Sequence, residues 1–290
     1  VTPDVDILIV LYNNEQFLGP LLASLRRISI PVTLYFLDNA SADNTVAMLT
    51  EALKQFPFPS HFQRSPRNHG FARGVNLLSG LGTAEFIFLL NPDTEVEAGC
   101  LERLLDRAKS DPTIGICEAR QQPREHPKVY DPLTGETSWC TGAATLLRRK
   151  AFEAVSGFDE RIFFMYCEDI DLSWKLWLRG WKCIYVPEAV VRHYNQDIIP
   201  GKRRTVENYF NFRNTLFLFY RFGSWKETGV LMSFLVKRFA LGRYTLRSRL
   251  LYGVALVDHI RYIPYLLRTR CLWRARGHPW VRLKETSLAD

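Results

Sequence analysis

Through its first third the chain alternates short apolar runs with segments whose apolar residues recur at helical spacing, and this alternation constrains the fold more than any other feature. It is the mark of βαβ units wound around a mostly parallel sheet. Ile7–Leu11 reads as a buried strand, and Phe17, Leu18, Leu21, Leu22 and Leu25 mark one face of the helix that follows. Val32–Leu37 is a second strand, closed by Asp38, and Ser41 or Asp43 is placed to cap a helix with apolar positions Val46, Leu49 and Leu53. A strand near His61–Gln63, a short helix over Ala72–Leu78 and an unbroken apolar strand over Glu85–Leu90 come next, the last stopping at Asn91-Pro92-Asp93. Ligands of open α/β sheets bind beyond the carboxyl ends of the strands, where the topology switches. Tyr12, Asp38 and Asp93 all fall there.

Further on, a helix is expected over Leu101–Lys109, and the charged, proline-bearing segment Arg120–Pro132 reads as a mobile loop suited to act as a lid. A strand over Trp139–Leu147, a helix over Lys150–Val155 and a Gly157-Phe158-Asp159 turn lead to a helix starting at Glu168. With 290 residues, 47% of them hydrophobic, the chain suits one large α/β domain with an appendage, divided here as 1–222 and 223–290. Its six cysteines show no CxxC pair or other close metal spacing, so neither a zinc site nor a disulfide framework is indicated, and a reducing, cytoplasmic compartment is expected. No basic-then-apolar leader and no run of roughly 18 apolar residues is visible, which argues for a protein neither secreted nor membrane-spanning.

Charge is divided unevenly. Residues 1–220 carry 24 Lys+Arg against 26 Asp+Glu, whereas residues 221–290 carry 14 against 4, so the basic surplus lies wholly in the tail. No groove-reading or base-stacking module accompanies it, so nucleic acid is not the expected partner and an anionic membrane is.

Asp93 leaves a buried strand at a turn where Pro92 removes a competing backbone donor. A carboxylate so placed suits magnesium or manganese, hard cations that take few protein ligands and keep positions open for diphosphate oxygens. An Asx turn with a helix cap is the plainer reading of this tripeptide alone. Glu168, Asp169 and Asp171 crowd the first turn of a helix anchored by Ile170, Trp174, Trp177, Leu178 and Trp181. The helix dipole and capping account for one acid, and three exceed what capping needs. Asp169, opposed by two like charges, is the candidate proton acceptor.

The series Asp38-Asn39-Ala40-Ser41-Ala42-Asp43, Asn68-His69-Gly70-Phe71-Ala72-Arg73-Gly74-Val75-Asn76, Asn91-Pro92-Asp93, Gly157-Phe158-Asp159-Glu160 and Glu168-Asp169-Ile170-Asp171-Leu172 resembles family 2 glycosyltransferases of the GT-A fold over roughly residues 5–220. Within them it is most similar to the rhamnosyltransferase branch, by the Asn-Pro-Asp form of the metal motif, the Gly-Phe-Asp-Glu turn, and Tyr185-Val186-Pro187 followed by His193. The resemblance implies a Rossmann-like, mostly parallel central sheet flanked by helices, to which the charge and apolar pattern of the tail adds a basic helical extension. It implies that Tyr12, Asp38 and Arg73 line the nucleotide pocket with Asn91 nearby, and that Asp93 binds the metal ion, which His193 approaches. Asp169 matches the catalytic base, Glu168 and Asp171 shape the acceptor side and helix start, and Trp139 and Gly142 border sugar and acceptor. For His193 and Trp139, structural packing is the competing reading. One departure is visible: many relatives carry Asp where Asn91 stands, which throws more of the metal affinity onto Asp93.

The implied reaction moves a sugar, L-rhamnose from dTDP-L-rhamnose, to an acceptor hydroxyl on a cell-surface glycan or its polyprenyl-diphosphate-linked precursor, with inversion at the anomeric carbon. The alternative is a degenerate transferase fold that only binds nucleotide sugar or glycan, against which the intact Asp93 and Asp169 argue. A nucleotide-binding oxidoreductase is disfavoured because Tyr12-Asn13-Asn14-Glu15 replaces the glycine fingerprint after the first strand. The aromatic set Tyr209 to Phe222 is expected to pack across the catalytic domain, with contact to an acceptor as the competing reading. Beyond it Leu231, Phe234, Leu235, Phe239 and Leu241 are interleaved with Lys237, Arg238, Arg243, Arg247 and Arg249, a basic amphipathic pattern suited to the inner face of the cell membrane.

Overall fold

The computed structural model describes residues 3–125, 129–194, 202–241, 246–273, 277–281 and 283. The strands are β1 (Val5–Leu11), β2 (Val32–Asp38), β3 (Ser60–Arg64), β4 (Phe86–Leu90), β5 (Thr94–Val96), β6 (Ile114–Gln122), β7 (Ala144–Arg148) and β8 (Lys182–His193). The helices are α1 (Glu15–Leu25), α2 (Thr45–Leu53), α3 (Phe71–Ser79), α4 (Cys100–Lys109), α5 (Arg149–Ala154), α6 (Glu168–Leu178), α7 (Lys202–Phe222), α8 (Trp225–Leu241), α9 (Leu246–Asp258) and α10 (Ile263–Trp273).

One sheet runs in the order β3-β2-β1-β4-β7-β6-β8-β5. The β3-β2-β1-β4 half is parallel, as the alternation requires, and β6 and β8 are parallel to each other. Strand β7 enters between β4 and β6 antiparallel to both, and β5 lies antiparallel to β8. The sheet is therefore mixed, less parallel than expected. Strands β1, β2 and β4 are buried along their whole length, because helices cover both faces. Successive residues alternate between two apolar layers: Ile7 and Ile9 pack with α1 and α4, Leu8 and Val10 with α3 and α6.

Three local expectations are corrected. Asn44, not Ser41 or Asp43, precedes α2; Asp43 instead accepts the N–H groups of Thr45 (3.0 Å) and Glu15 (3.1 Å), and Ser41 Oγ accepts that of Asn13 (2.9 Å). Both thereby tie the β1–α1 loop to the β2–α2 loop. The strand expected from Trp139 begins at Ala144, because the N–H groups of Cys140, Thr141 and Gly142 donate to the side chains of Ser173, Glu118 and Asp169 rather than to a ladder. The loop expected from Arg120 starts later, since β6 runs to Gln122; residues 126–128 of that segment lie outside the described residues.

The helices after β8 fold back over the sheet. Phe217 and Phe222 of α7, Leu266 of α10 and Leu283 share an apolar cluster with Trp174 of α6, and Trp280 stacks on Trp177 at 5.9 Å. Arg221 binds the carboxylates of both Asp159 (2.5 Å) and Asp171, while Tyr265 donates to Asp159 (3.0 Å). Chain on both sides of residue 222 thus packs in one core cluster.

Candidate active site

A cavity of about 500 Å³ opens beyond the carboxyl ends of the strands, lined by Phe71, Asn91, Gln121, Trp139, Thr141, Gly142, Ala143, the stretch Met165 to Ile170, and His193. Glu207 and Asn211 of α7 complete its wall.

Asp169 lies in the first turn of α6. Its Oδ1 accepts the Ile170 N–H (2.8 Å) and its Oδ2 the Gly142 N–H (3.2 Å), backbone donors that fix the carboxylate at the cavity wall. The helix is entered through two consecutive left-handed residues, Tyr166 (φ 66°) and Cys167 (φ 65°), a costly backbone held by its surroundings. Asn214 of α7 supplies that restraint: its Nδ2 donates to the carbonyls of Met165 (2.8 Å) and Tyr166 (2.7 Å). Gly70, at φ 82°, lies so close to the Phe164 carbonyl that a Cβ there would approach within 2.3 Å, so glycine is required where α3 meets this loop.

Glu168 is buried beside Asp169, and its Oε2 has no hydrogen-bond partner. Burial, and then the neighbouring Asp169 charge, push its carboxyl well above the usual range. Asp171 does not line the cavity. Two residues after Asp169, it points about 200° around the helix, where it is fully buried and pairs with Arg221 and with Lys175 (3.2 Å). It joins α7 to α6.

Asp93 precedes β5, whose antiparallel pairing with β8 puts Thr94 opposite His193. The register brings His193 Nε2 to 3.2 Å from Asp93 Oδ1, and His193 Nδ1 lies 2.7 Å from Gln121 Oε1. Asn91 lines the cavity while its backbone N–H donates to Ala143 O (2.8 Å). Trp139 and Gly142 also line it, as the resemblance implies.

Tyr12, Asp38 and Arg73 do not line this cavity. Asp38 is buried opposite Leu11, one residue before half-exposed Tyr12, and accepts the Ser41 N–H (3.2 Å). Arg73, in the first turn of α3, lies 3.9 Å from Glu160. Asn39, which the sequence reading passed over, pins this region. It donates to Leu11 O (2.8 Å) and Gly70 O (3.0 Å) and accepts the His69 N–H (3.0 Å). Gln121, Thr141, Glu207, Asn211, Asn214 and Arg221 were also missed. Only the motif position of Asn39 gave a usable signal.

Asp169 and His193 line one cavity of an open α/β sheet, Asp93 lies 3.2 Å from His193 without itself lining the cavity, and solved structures show that the fold is GT-A-like. The chain resembles a mannosyltransferase of Pyrobaculum calidifontis crystallised with GDP-Man and Mn2+ (TM-score 0.59, 16% identity, covering 94% of this chain and 74% of that one). It also resembles GalNAc-T7 with UDP, GalNAc and Mn2+ (TM-score 0.65, 13% identity, 96% and 58%). The sequence profile of glycosyl transferase family 2 matches residues 6–170, and this chain belongs to that family. A second profile, glycosyl transferase family group 2, matches residues 128–288. Among curated relatives, an N-acetylglucosaminyl-diphospho-decaprenol L-rhamnosyltransferase of Mycobacterium tuberculosis is 29% identical over 226 residues, covering 62% of this chain and 71% of the relative. The rhamnosyltransferase WbbL of Escherichia coli is 48% identical over 56 residues, 19% of this chain and 21% of that protein.

Proposed function

We propose that this family 2 enzyme is an inverting rhamnosyltransferase that takes L-rhamnose from dTDP-L-rhamnose and attaches it to a hydroxyl of a polyprenyl-diphosphate-linked glycan. The observation that carries the chemistry is the Asp169 carboxylate, which lines the cavity and accepts the backbone N–H groups of Ile170 and Gly142. Asp169 takes the acceptor proton as the acceptor oxygen attacks the anomeric carbon from the face opposite the diphosphate. Tyr12, Asp38 and Arg73 hold the nucleoside, and Glu207 and Asn211 face the acceptor. Support for the sugar comes from the two rhamnosyltransferases among the relatives.

The residues present fit a divalent cation. His193 Nε2 is buried without a hydrogen-bond partner beside Asp93 Oδ1, and with Nε2 unprotonated the two would offer a cation one nitrogen and one oxygen ligand. Among the described residues no group of three His, Cys, Asp or Glu side chains converges. Two protein ligands suit magnesium or manganese, which leave positions for diphosphate oxygens and water. Bound there, the ion would neutralise charge developing on the leaving diphosphate.

Asp169→Asn is expected to keep donor binding and lose transfer by at least about 100-fold, since an amide accepts no proton; near-normal turnover would sink the assignment. In the same assay a donor panel is expected to favour dTDP-L-rhamnose over UDP-glucose, UDP-galactose and UDP-N-acetylglucosamine. A clearly better UDP-sugar removes the branch assignment and leaves the family intact.

The tail is proposed to rest on an anionic membrane surface. Leu250, Val254 and Val257 are exposed at one-stripe spacing along α9, and Trp225, Val230 and Phe234 are exposed on α8. Among the described residues no helix is long and apolar enough to cross a membrane. Arg243 lies outside the described residues, as do the side chains of Leu235, Arg238, Phe239, Leu241 and Arg247.

A further inference from the structure

Four polar side chains, three of them lining the cavity and Glu118 beside them, form a continuous buried chain. Glu118 accepts the Thr141 N–H at Oε2 (2.9 Å) and the Thr141 hydroxyl at Oε1 (3.0 Å). Gln121 Nε2 lies 2.7 Å from Thr141 Oγ1, and Gln121 Oε1 lies 2.7 Å from His193 Nδ1. Each of the four is more than nine-tenths buried, so water does not compete for these contacts.

The direction of every bond follows from one end. A carboxylate only accepts, so the Thr141 hydroxyl spends its single hydrogen on Glu118. What Thr141 then offers Gln121 is a lone pair, which the Gln121 amide meets with its NH₂ group. The amide oxygen is left facing His193, and an oxygen there demands a hydrogen on Nδ1. A neutral imidazole protonated at Nδ1 carries its lone pair on Nε2. That atom lies 3.2 Å from Asp93 Oδ1.

We propose that Glu118, Thr141 and Gln121 form a positioning relay that fixes His193 as the Nδ1–H tautomer and so presents its Nε2 lone pair, beside Asp93, to a divalent cation. The consequence for a cation rests on the reading of Asp93 and His193 as its ligands; the tautomer itself does not. The local backbone is built for the relay. Residues three apart on a regular strand point to opposite faces, yet Glu118 and Gln121 both reach Thr141. The pairing of β6 with β8 slips between Ala119 and Arg120, between the two side chains that meet at Thr141.

Long-range ¹H–¹⁵N correlation spectra of the full chain labelled with ¹⁵N-histidine read the tautomer directly, without metal or donor. The expected result at pH 8.5 is a proton on Nδ1 of His193 alone, and a proton on Nε2 overturns the relay. Manganese binding, read from the electron paramagnetic resonance of the free ion with no donor present, supplies the second arm. Gln121→Met and Thr141→Val, near-isosteric and checked by thermal melting, are expected to weaken it about 10-fold or more, as loss of an outer hydrogen bond to a metal-ligating histidine does. Thr141→Ser, which keeps the hydroxyl, restores it. If Asp93→Ala abolishes manganese binding while Gln121→Met leaves it unchanged, the relay is wrong and the metal assignment stands. If the wild type binds no manganese, the metal assignment falls and the spectra alone decide the relay.

Discussion

Burying a carboxyl group beside two others raises the free energy of its charged form, and Glu168 sits in that position, with one oxygen unpartnered. Burial first, then the charges of Asp169 and Asp171, lift it well above its ordinary value. An acid raised on folding contributes stability in full below its unfolded pKa, near 4.3, and loses that contribution as pH rises through the folded value. Glu168→Gln, which never ionises, is therefore expected to raise the melting temperature more at pH 8 than at pH 5, by roughly 2–4 °C for each kcal/mol relieved. Equal shifts at the two pH values would mean that the folded enzyme does not protonate Glu168. As candidates, Asp93 and Asp169 stand out in the sequence because each is a polar residue set against a strongly apolar element, Phe86–Leu90 in one case and the tryptophan face of α6 in the other. Gln121 and Thr141 carried no such contrast. Their role depends on a slip in strand pairing and on a segment whose N–H groups turn to side chains, and neither leaves a periodic trace.

Helix α7 holds the acid-bearing helix in place, although most of its sequence reads as ordinary aromatic packing. Asn214 ties down the left-handed pair before Asp169, and Arg221 neutralises Asp171 and Asp159. Asn214→Ala leaves two carbonyls short of a donor, and a loss of about 1–3 kcal/mol is expected in chemical denaturation. Because the released turn carries Asp169, kcat should fall while donor affinity holds; an equal loss in both would assign Asn214 a purely global role. Arg221→Met removes the guanidinium that two carboxylates share, leaving fully buried Asp171 with Lys175 and Asp159 with the Tyr265 hydroxyl, and about 3 kcal/mol of destabilisation is expected. The first third of the fold was readable because its strands are buried on both faces and its helices are amphipathic. Asp171 was not, because three acids in one helical turn look equivalent until their angular positions and their partner, 50 residues away, are known.

Across the whole molecule, the charge split and the exposed apolar residues of α8 and α9 lie in the same tail that packs against α6. Removing the tail would also remove Leu266, Trp280 and Leu283 from the core, so the proposed membrane contact is better tested on the intact chain. Replacing exposed Lys226, Lys237 and Arg268 with glutamine removes about 1 kcal/mol each at an anionic surface. Sedimentation with acidic vesicles at low salt should fall by up to about 100-fold in affinity, and added salt should release the wild type. Unchanged binding by the triple variant, or no preference for acidic over neutral lipid, would show that the tail serves packing alone. The Asn214 clasp also bears on how such enzymes are recombined. On the proposed assignment, α7 brings Glu207 and Asn211 to the acceptor wall and, through Asn214 and Arg213, grips the carbonyls of Met165, Tyr166 and Ile162. A hybrid joined just ahead of α7 would inherit a clasp cut for another loop. The crossover that exchanges acceptor choice without disarming Asp169 therefore lies upstream of Asp159, so that loop, base and helix travel as one cassette.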